Sequence, residues 1–343
     1  MKKVKILSLI FATALFATSC SDDDSANTDD DQGGANLESQ LYASNNSNGD
    51  VTRYDTSEDG TVSTNSLITL SLNSEGIFYD ATTDQVTQAS RSSFQLNSYA
   101  DASITDNGIA LTIAASSSAD LASPRDLAVS GNVYVVSDNT DGDGDDTTAD
   151  GRLFVYTKSG DSFILRNTVT VNFKVWGIEF VGNDLFAVVD ATSDLAVFTN
   201  FASSNTTDAT VQASKRITIE GITRTHGLAF DGGTMVLTDI GDATVDTDGG
   251  FQVISSFQSK FDAVANGGTL AMAGNQIRVS GALTLLGNPV AAEFDADTNT
   301  VFIAERANGG GRVLSYTNID TGGNVGPDLN ATLNGASSLY LSK

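Results

Sequence analysis

A repeat of about fifty residues limits what this chain can fold into more than any other feature. It opens with a short apolar strand and a turn. It occurs as SEGIFYD from Ser74, PRDLAVSGNVYVVSD from Pro124, VWGIEFVGNDLFAVVD from Val175, THGLAFDGGTMVLTD from Thr225 and PVAAEFDADTNTVFIAE from Pro289. The matched positions Glu75, Arg125, Trp176, His226 and Val290 lie 50, 51, 50 and 64 residues apart, the period of a four-stranded unit. The long interval requires an insertion after His226. Each unit continues with a third strand, such as GRLFVYTKS, DLAVFTNF, GFQVISSF or GRVLSYTNI, and a fourth, such as SFILRNTVTV or ASKRITIEG. Short alternating or β-branched runs broken by Gly, Asn and Asp are strand patterns. FQSKFDAVANGG, residues 257 to 268, is the best helical stretch and is expected to hold a turn or two.

The two ends complete one another. The terminal SSLYLSK reads as a first strand after which the chain stops, and QLYASNNSNGDVTRYDTSE near residue 40 reads as second and third strands lacking a first. Joining them makes a sixth unit and removes exposed sheet edges. The expected fold is all-β, a six-bladed β-propeller over residues 39–343 closed by pairing of the N- and C-terminal strands. The units PRDLAVSGNVYVVSD and GRLFVYTKSG resemble the NHL repeat, with its Pro, Gly-Ile-Ala-Val-like strand, Gly-Asn, Tyr-Val strand and closing acid. That resemblance spans residues 40–343 loosely and departs at Ala291, where the repeat has Gly. It implies a propeller serving mainly as a binding platform, with lactonases and other hydrolases among its relatives, and bears on fold more than on chemistry.

The opening MKKVKILSLIFATALFATSC has a basic start, an apolar run from Ile6 to Phe16 and small residues before Cys20, the layout of a signal peptide. The run is too short to span a bilayer comfortably. Ala17-Thr18-Ser19-Cys20 resembles the lipobox of bacterial lipoproteins, which implies cleavage before Cys20 and lipidation of that residue, the chain's one Cys. Ser21-Asp22-Asp23-Asp24 is similar to the acidic export tag of Bacteroidota lipoproteins, which implies an outer membrane lipoprotein facing the cell exterior. Residues 1–19 are thus expected as a leader, and residues 20–38 as the lipidated Cys with an acidic tether. Such a mature fold has no thiol for disulfides or catalysis. Acidic residues outnumber basic ones 43 to 18, for a net charge of -25, which repels phosphate backbones and excludes nucleic acid as a partner.

In a propeller the start of the first strand and the end of the second share a face. This gathers Ser337, Glu75, Arg125, Trp176, His226 and Val290 in one ring, and Asn45, Ser90, Asp138, Asp190, Asp239 and Glu305 in another. Glu75, Arg125, Trp176, His226, Asp138, Asp190, Asp239 and Glu305 are therefore the candidate ligand-binding residues, at one mouth of the channel. The competing reading has each acid capping its own turn, His226 as structural, and Trp176 as a plug for the channel instead of a stacking platform.

In VVSDNTDGDGDDTTADGRLFVY the order Asn139, Asp141, Asp143, Gly144 and Asp150 follows calcium-loop spacing, with Asn at position 1 and Asp at position 12 as departures. These four oxygen-bearing residues are the expected metal ligands and Ca²⁺ the expected cofactor, against a solvated acidic hairpin loop. A poorer cluster, DATVDTDGG, starts at Asp242. Gly-x-Ser-x-Gly, His-Glu-x-x-His, Cys-pair and Gly-Lys-Ser motifs are absent. Two functions follow. One is a non-catalytic binding or scaffold module for protein, glycan or cation. The other is a metal-dependent lactonase or related hydrolase, its ion held at the mouth by some of Glu75, Asp138, Asp190, Asp239 and Glu305.

Overall fold

Second strands such as Gln85–Ser90, Val133–Asp138, Asp184–Val189 and Thr234–Asp239 bury nearly every residue. That is the pattern of a strand flanked on both sides by neighbours and covered on both faces. The structure, a computed structural model, describes residues 39–56, 62–142, 144, 145, 147–317 and 319–343. The expected leader, Cys20 and the tether lie outside the described residues.

The strands form successive antiparallel sheets, each laid down in chain order. Ser74–Asp80, Gln85–Ser90, Gln95–Ala100 and Thr112–Ser116 make one set, and Pro124–Ser130, Val133–Asp138, Gly151–Ser159 and Ser162–Val171 the next. A single parallel pair, Ser162 with Ser116, joins these two sets. Val175–Val181, Asp184–Val189, Asp194–Phe198 and Lys215–Ile219 follow, then Leu228–Asp231, Thr234–Asp239, Gly250–Ile254 and Ile277–Ser280. Pro289–Asp295, Thr300–Glu305, Arg312–Tyr316 and Leu329–Thr332 form a further sheet. Ala336–Ser342 pairs with Ser39–Asn45, from Gln40 with Ser342 to Ser44 with Ser338, and Val51–Thr56 and Val62–Leu67 extend that sheet.

The long interval in the repeat is occupied by helix Phe257–Ala263 and strand Thr269–Leu270, which adds to the preceding sheet parallel to Lys215–Ile219. Phe257 and Phe261, four residues apart and so on one helix face, are buried against Phe186 at ring distances of 5.3 and 5.1 Å. The core lies between neighbouring sheets. Phe186, Leu195 and Ile217 of one sheet, for example, meet Leu228, Met235, Leu237 and Ile254 of the next.

The first strands line the centre and show why the repeat has its glycines. A Cβ on Gly177 would lie 2.3 Å from the His226 carbonyl oxygen, and one on Gly227 would lie 2.6 Å from the Cα of Ala291. Direct bonds between adjacent first strands use this closeness. The Gly177 N–H donates to the His226 carbonyl at 3.0 Å, and the Ile178 N–H to Asp126 Oδ2 at 2.9 Å. At this same level the register slips, between Glu75 and Ile77, Pro124 and Asp126, Val175 and Ile178, and Pro289 and Ala291. A bulge inserts an extra residue and re-aims side chains.

Candidate functional site

The bulges lie where Arg125, Trp176 and Val290, the second residues of three first strands, turn toward one end of the central axis. His226 joins them from two residues before its strand Leu228–Asp231. Arg125, Trp176, His226 and Val290 line one cavity there, together with Arg91, Arg224, Ala243, Asn288 and Arg306, and its volume is about 260 Å³. Glu75, the same position in its own strand, is 2% exposed and sits beneath them. Its Oε1 accepts from Asn46 Nδ2 at 2.8 Å and lies 3.0 Å from Arg91 and 3.5 Å from Arg306, while Oε2 is 3.5 Å from Arg125. Ser337 instead donates to the Ser74 carbonyl. Asp190 is 2.8 Å from Arg224 and 3.2 Å from His226 Nε2, and accepts from the Ala191 N–H. Two carboxylates thus pair with four guanidiniums, and in a chain of net charge -25 the mouth is cationic.

Trp176 holds three of these residues together. Its ring stacks on His226 with centroids 3.6 Å apart and planes 6° apart, and the Arg125 guanidinium carbon lies 4.2 Å from its centroid. Two groups so close cannot share a face, so both faces of the indole are covered. The Arg contact is a cation–π interaction worth roughly 1–2 kcal/mol when partly desolvated. No face of Trp176 is left for a sugar ring, an arrangement that suits a channel plug more than a stacking platform.

Burial lowers the His226 pKa to about 4, outweighing the Asp190 carboxylate that favours the charged ring. The imidazole is therefore neutral near pH 7, with Nε2–H donating to Asp190 and Nδ1 left as an acceptor. Burial works against the Asp190 charge, but the His226 hydrogen bond and Arg224 hold its pKa below the usual carboxylate range.

The second ring serves the loops. Asp138 Oδ2 accepts from the Ala122 and Ser123 N–H groups at 2.8 and 2.7 Å, and Asp239 Oδ1 from Thr223 and Arg224 at 2.9 and 3.1 Å. Asp239 Oδ2 is held by Arg278 at 2.8 Å. Glu305 accepts from the N–H groups of Gly287, Asn288, Ala307 and Asn308. Asn45 caps Ser47, Asn48 and Gly49, and Ser90 bonds Ser71. These acids anchor the segment entering their own first strand, as the capping alternative requires. Asp190 alone of them reaches mouth side chains.

In the acidic loop, Asp150 is buried and both its oxygens accept from the Gly142 N–H, while Asp141 accepts from Gly144. Asn139 is tied by its N–H to the Ser123 carbonyl, and Asp143 lies outside the described residues. In the second loop, Asp242 accepts from Thr244 and Asp248 from the Asp242 N–H. Among the described residues no three His, Cys, Asp or Glu side chains are grouped to hold a metal ion.

Arg91, Arg224, Arg306, Asn46 and Asn288 are absent from the residues chosen by sequence. A signal was there. Asn46, Arg91 and Arg306 each directly follow a second-ring residue, and Arg224 stands two before His226. In three of the repeat units the residue after the second-ring position thus reaches Glu75.

The fold and mouth define a nearly all-β domain of β-propeller-like class. Its solved neighbours include a candidate 6-phosphogluconolactonase of Bacteroides fragilis, with TM-score 0.58 and 10% identity over 91% of this chain and 100% of that one. A second, of Bacteroides uniformis, gives 0.55 and 11% over 89% and 99%. A chain of a nidogen/laminin complex gives 0.56 and 12% over 89% and 98%. At these identities the likeness concerns fold alone. No family model matches the sequence, and neither does any curated protein.

Proposed function

We propose that this chain is a cell-surface binding lipoprotein, a six-bladed propeller closed through Ala336–Ser342 and Ser39–Asn45, whose mouth binds a small anion. The observation that carries it is the convergence of Arg91, Arg125, Arg224 and Arg306 on one cavity of a strongly acidic chain. Guanidiniums present planar, paired donors to carboxylate or phosphate. The geometry favours an anion over the cation, since Glu75 and Asp190 face guanidiniums and Asp138, Asp239 and Glu305 hold backbone amides. It also favours a small ligand over a glycan, given the covered Trp176. The leader, Cys20 and the acidic residues after it support an anchor on the outer membrane, facing outward. Calorimetric titration of the purified full chain with citrate and inorganic phosphate tests the mouth. Saturable binding, weakened at least tenfold by Arg91→Ala/Arg306→Ala, is expected, and wild-type protein that binds neither anion sinks the proposal. Protease treatment of intact cells tests the location.

A second reading, hydrolysis of a lactone or ester, draws on the Asp190–His226 pair and on the fold neighbours described as candidate 6-phosphogluconolactonases. A neutral imidazole oriented by a carboxylate can accept a proton from water, and guanidiniums can stabilise the oxyanion. A lactone panel showing no turnover that His226→Gln abolishes removes this reading.

A further inference from the structure

The anion-binding reading leaves open what kind of anion the mouth suits, and three features of its wall narrow the choice. The first is charge. Glu75 and Asp190 neutralise two of the four guanidiniums, and the cavity lining contains no Asp or Glu, so two positive charges remain for a ligand. Arg91 and Arg306 are 25% and 39% exposed and are gathered on the same Glu75 oxygen, within reach of one bound molecule.

The second is hydrogen bonding. Among the described residues, His226 Nδ1 and Asn288 Oδ1 are buried acceptors without a partner; both residues line the cavity, and these two atoms must turn toward it to meet a ligand. His226 is 4% exposed and its Nε2 is committed to Asp190, so Nδ1 can only accept. A buried acceptor left unmatched costs roughly 1–3 kcal/mol. Carboxylates and phosphate diesters have no proton to offer it, whereas a hydroxyl does.

The third is size. At about 260 Å³ the cavity is below the usual range for drug-sized ligands.

Resting on that reading of the mouth, we propose that the ligand is a small dianionic hydroxy acid, its carboxylates on the arginines and its hydroxyls on His226 and Asn288. The test is calorimetric titration of the purified full chain at pH 7 with tartrate, malate and succinate. All three are four-carbon dianions and differ in carrying two, one and no hydroxyls. Threitol supplies hydroxyls without charge. Affinity is expected to fall at each step from tartrate to succinate, by at least tenfold overall, with no binding of threitol. Asn288→Leu, or Asn288→Ala should the first not fold, is expected to narrow the tartrate-to-succinate ratio. Equal affinity for tartrate and succinate overturns the hydroxyl assignment while leaving the anion site standing. Failure of all three acids, and of citrate and phosphate, overturns the anion site as well.

Discussion

The mouth and the central cavity beneath it are built from the same first strands, sometimes from adjacent residues, yet they handle charge in opposite ways. Arg125 lines the mouth, and its neighbour Asp126 lines a cavity of about 200 Å³ together with Glu179 and Glu293. At the mouth every carboxylate meets a guanidinium or an amide. In the cavity no Lys, Arg or His is among the lining residues. Burial pushes Asp126 up to about 7 despite amide bonds from Ile178 and Leu127, with Glu75 adding repulsion. Burial and then Asp126 push Glu179 up to about 8, and Glu293 is raised well above its usual value by burial, Glu179, Asp126 and the more distant Asp231. Tyr340, on the last strand, also lines the cavity and is itself raised by burial and these acids. The mouth balances its carboxylates with counter-charges, while those of the central cavity have none among the lining residues, so desolvation and mutual repulsion favour their protonated forms.

The comparison is broken most strongly by pH. Carboxylates whose folded pKa exceeds the unfolded value hold more protons when folded, so Asp126 and Glu179 make stability fall as pH rises from about 4 toward about 8. They are opposed up to about pH 6.5 by His226, whose lowered pKa works the other way. A loss of a few kcal/mol is expected in urea denaturation across that span, because each proton held only by the folded chain costs roughly 1.4 kcal/mol for every pH unit climbed. Glu179→Gln/Glu293→Gln should flatten the curve, and an unchanged slope would mean that the cavity carboxylates are already ionised and hydrated.

Gly177→Ala attacks the wall shared by both regions. The new Cβ would press on the His226 carbonyl and on Leu228, at an expected cost of about 1–3 kcal/mol, with the Trp176 fluorescence displaced because His226 carries the stack. Arg91→Ala/Arg306→Ala should instead weaken anion binding at least tenfold, and should also lower stability because buried Glu75 keeps only Arg125 and Asn46. Adding Glu75→Gln should restore the stability but not the binding, and binding that returns with it would make the arginines structural. Removal of divalent ions has the smallest expected effect. With Asp150 and Asp141 bonded to loop amides, chelation is expected to move Tm by no more than about 1 °C, and a shift of several degrees would support calcium binding by residues 139–150.

Much of this molecule is legible in the repeat. The strand order, the insertion after His226 with its short helix, and the common level of Glu75, Arg125, Trp176 and His226 all follow from spacing. So does the capping use of Asp138, Asp239 and Glu305, because an acid at a strand end next to a turn has amides beside it whatever the fold. Less legible was the sign of the mouth. An overall charge of -25 and a ring containing four acids suggested a place for cations, but each acid found a partner nearby and the arginines did not exhaust theirs.

The chain by itself determined the sheets, their succession and which residues stand at the same height, because strand period and turn chemistry act over a few residues. Only the tertiary structure decided which charges face one another. Arg91, Arg125, Arg224 and Arg306 are spread over more than 200 residues of sequence, and their joint field depends on distances across the central axis. The same holds for Asp126, Glu179 and Glu293, which repel one another only because three separate strands bury them around a single cavity.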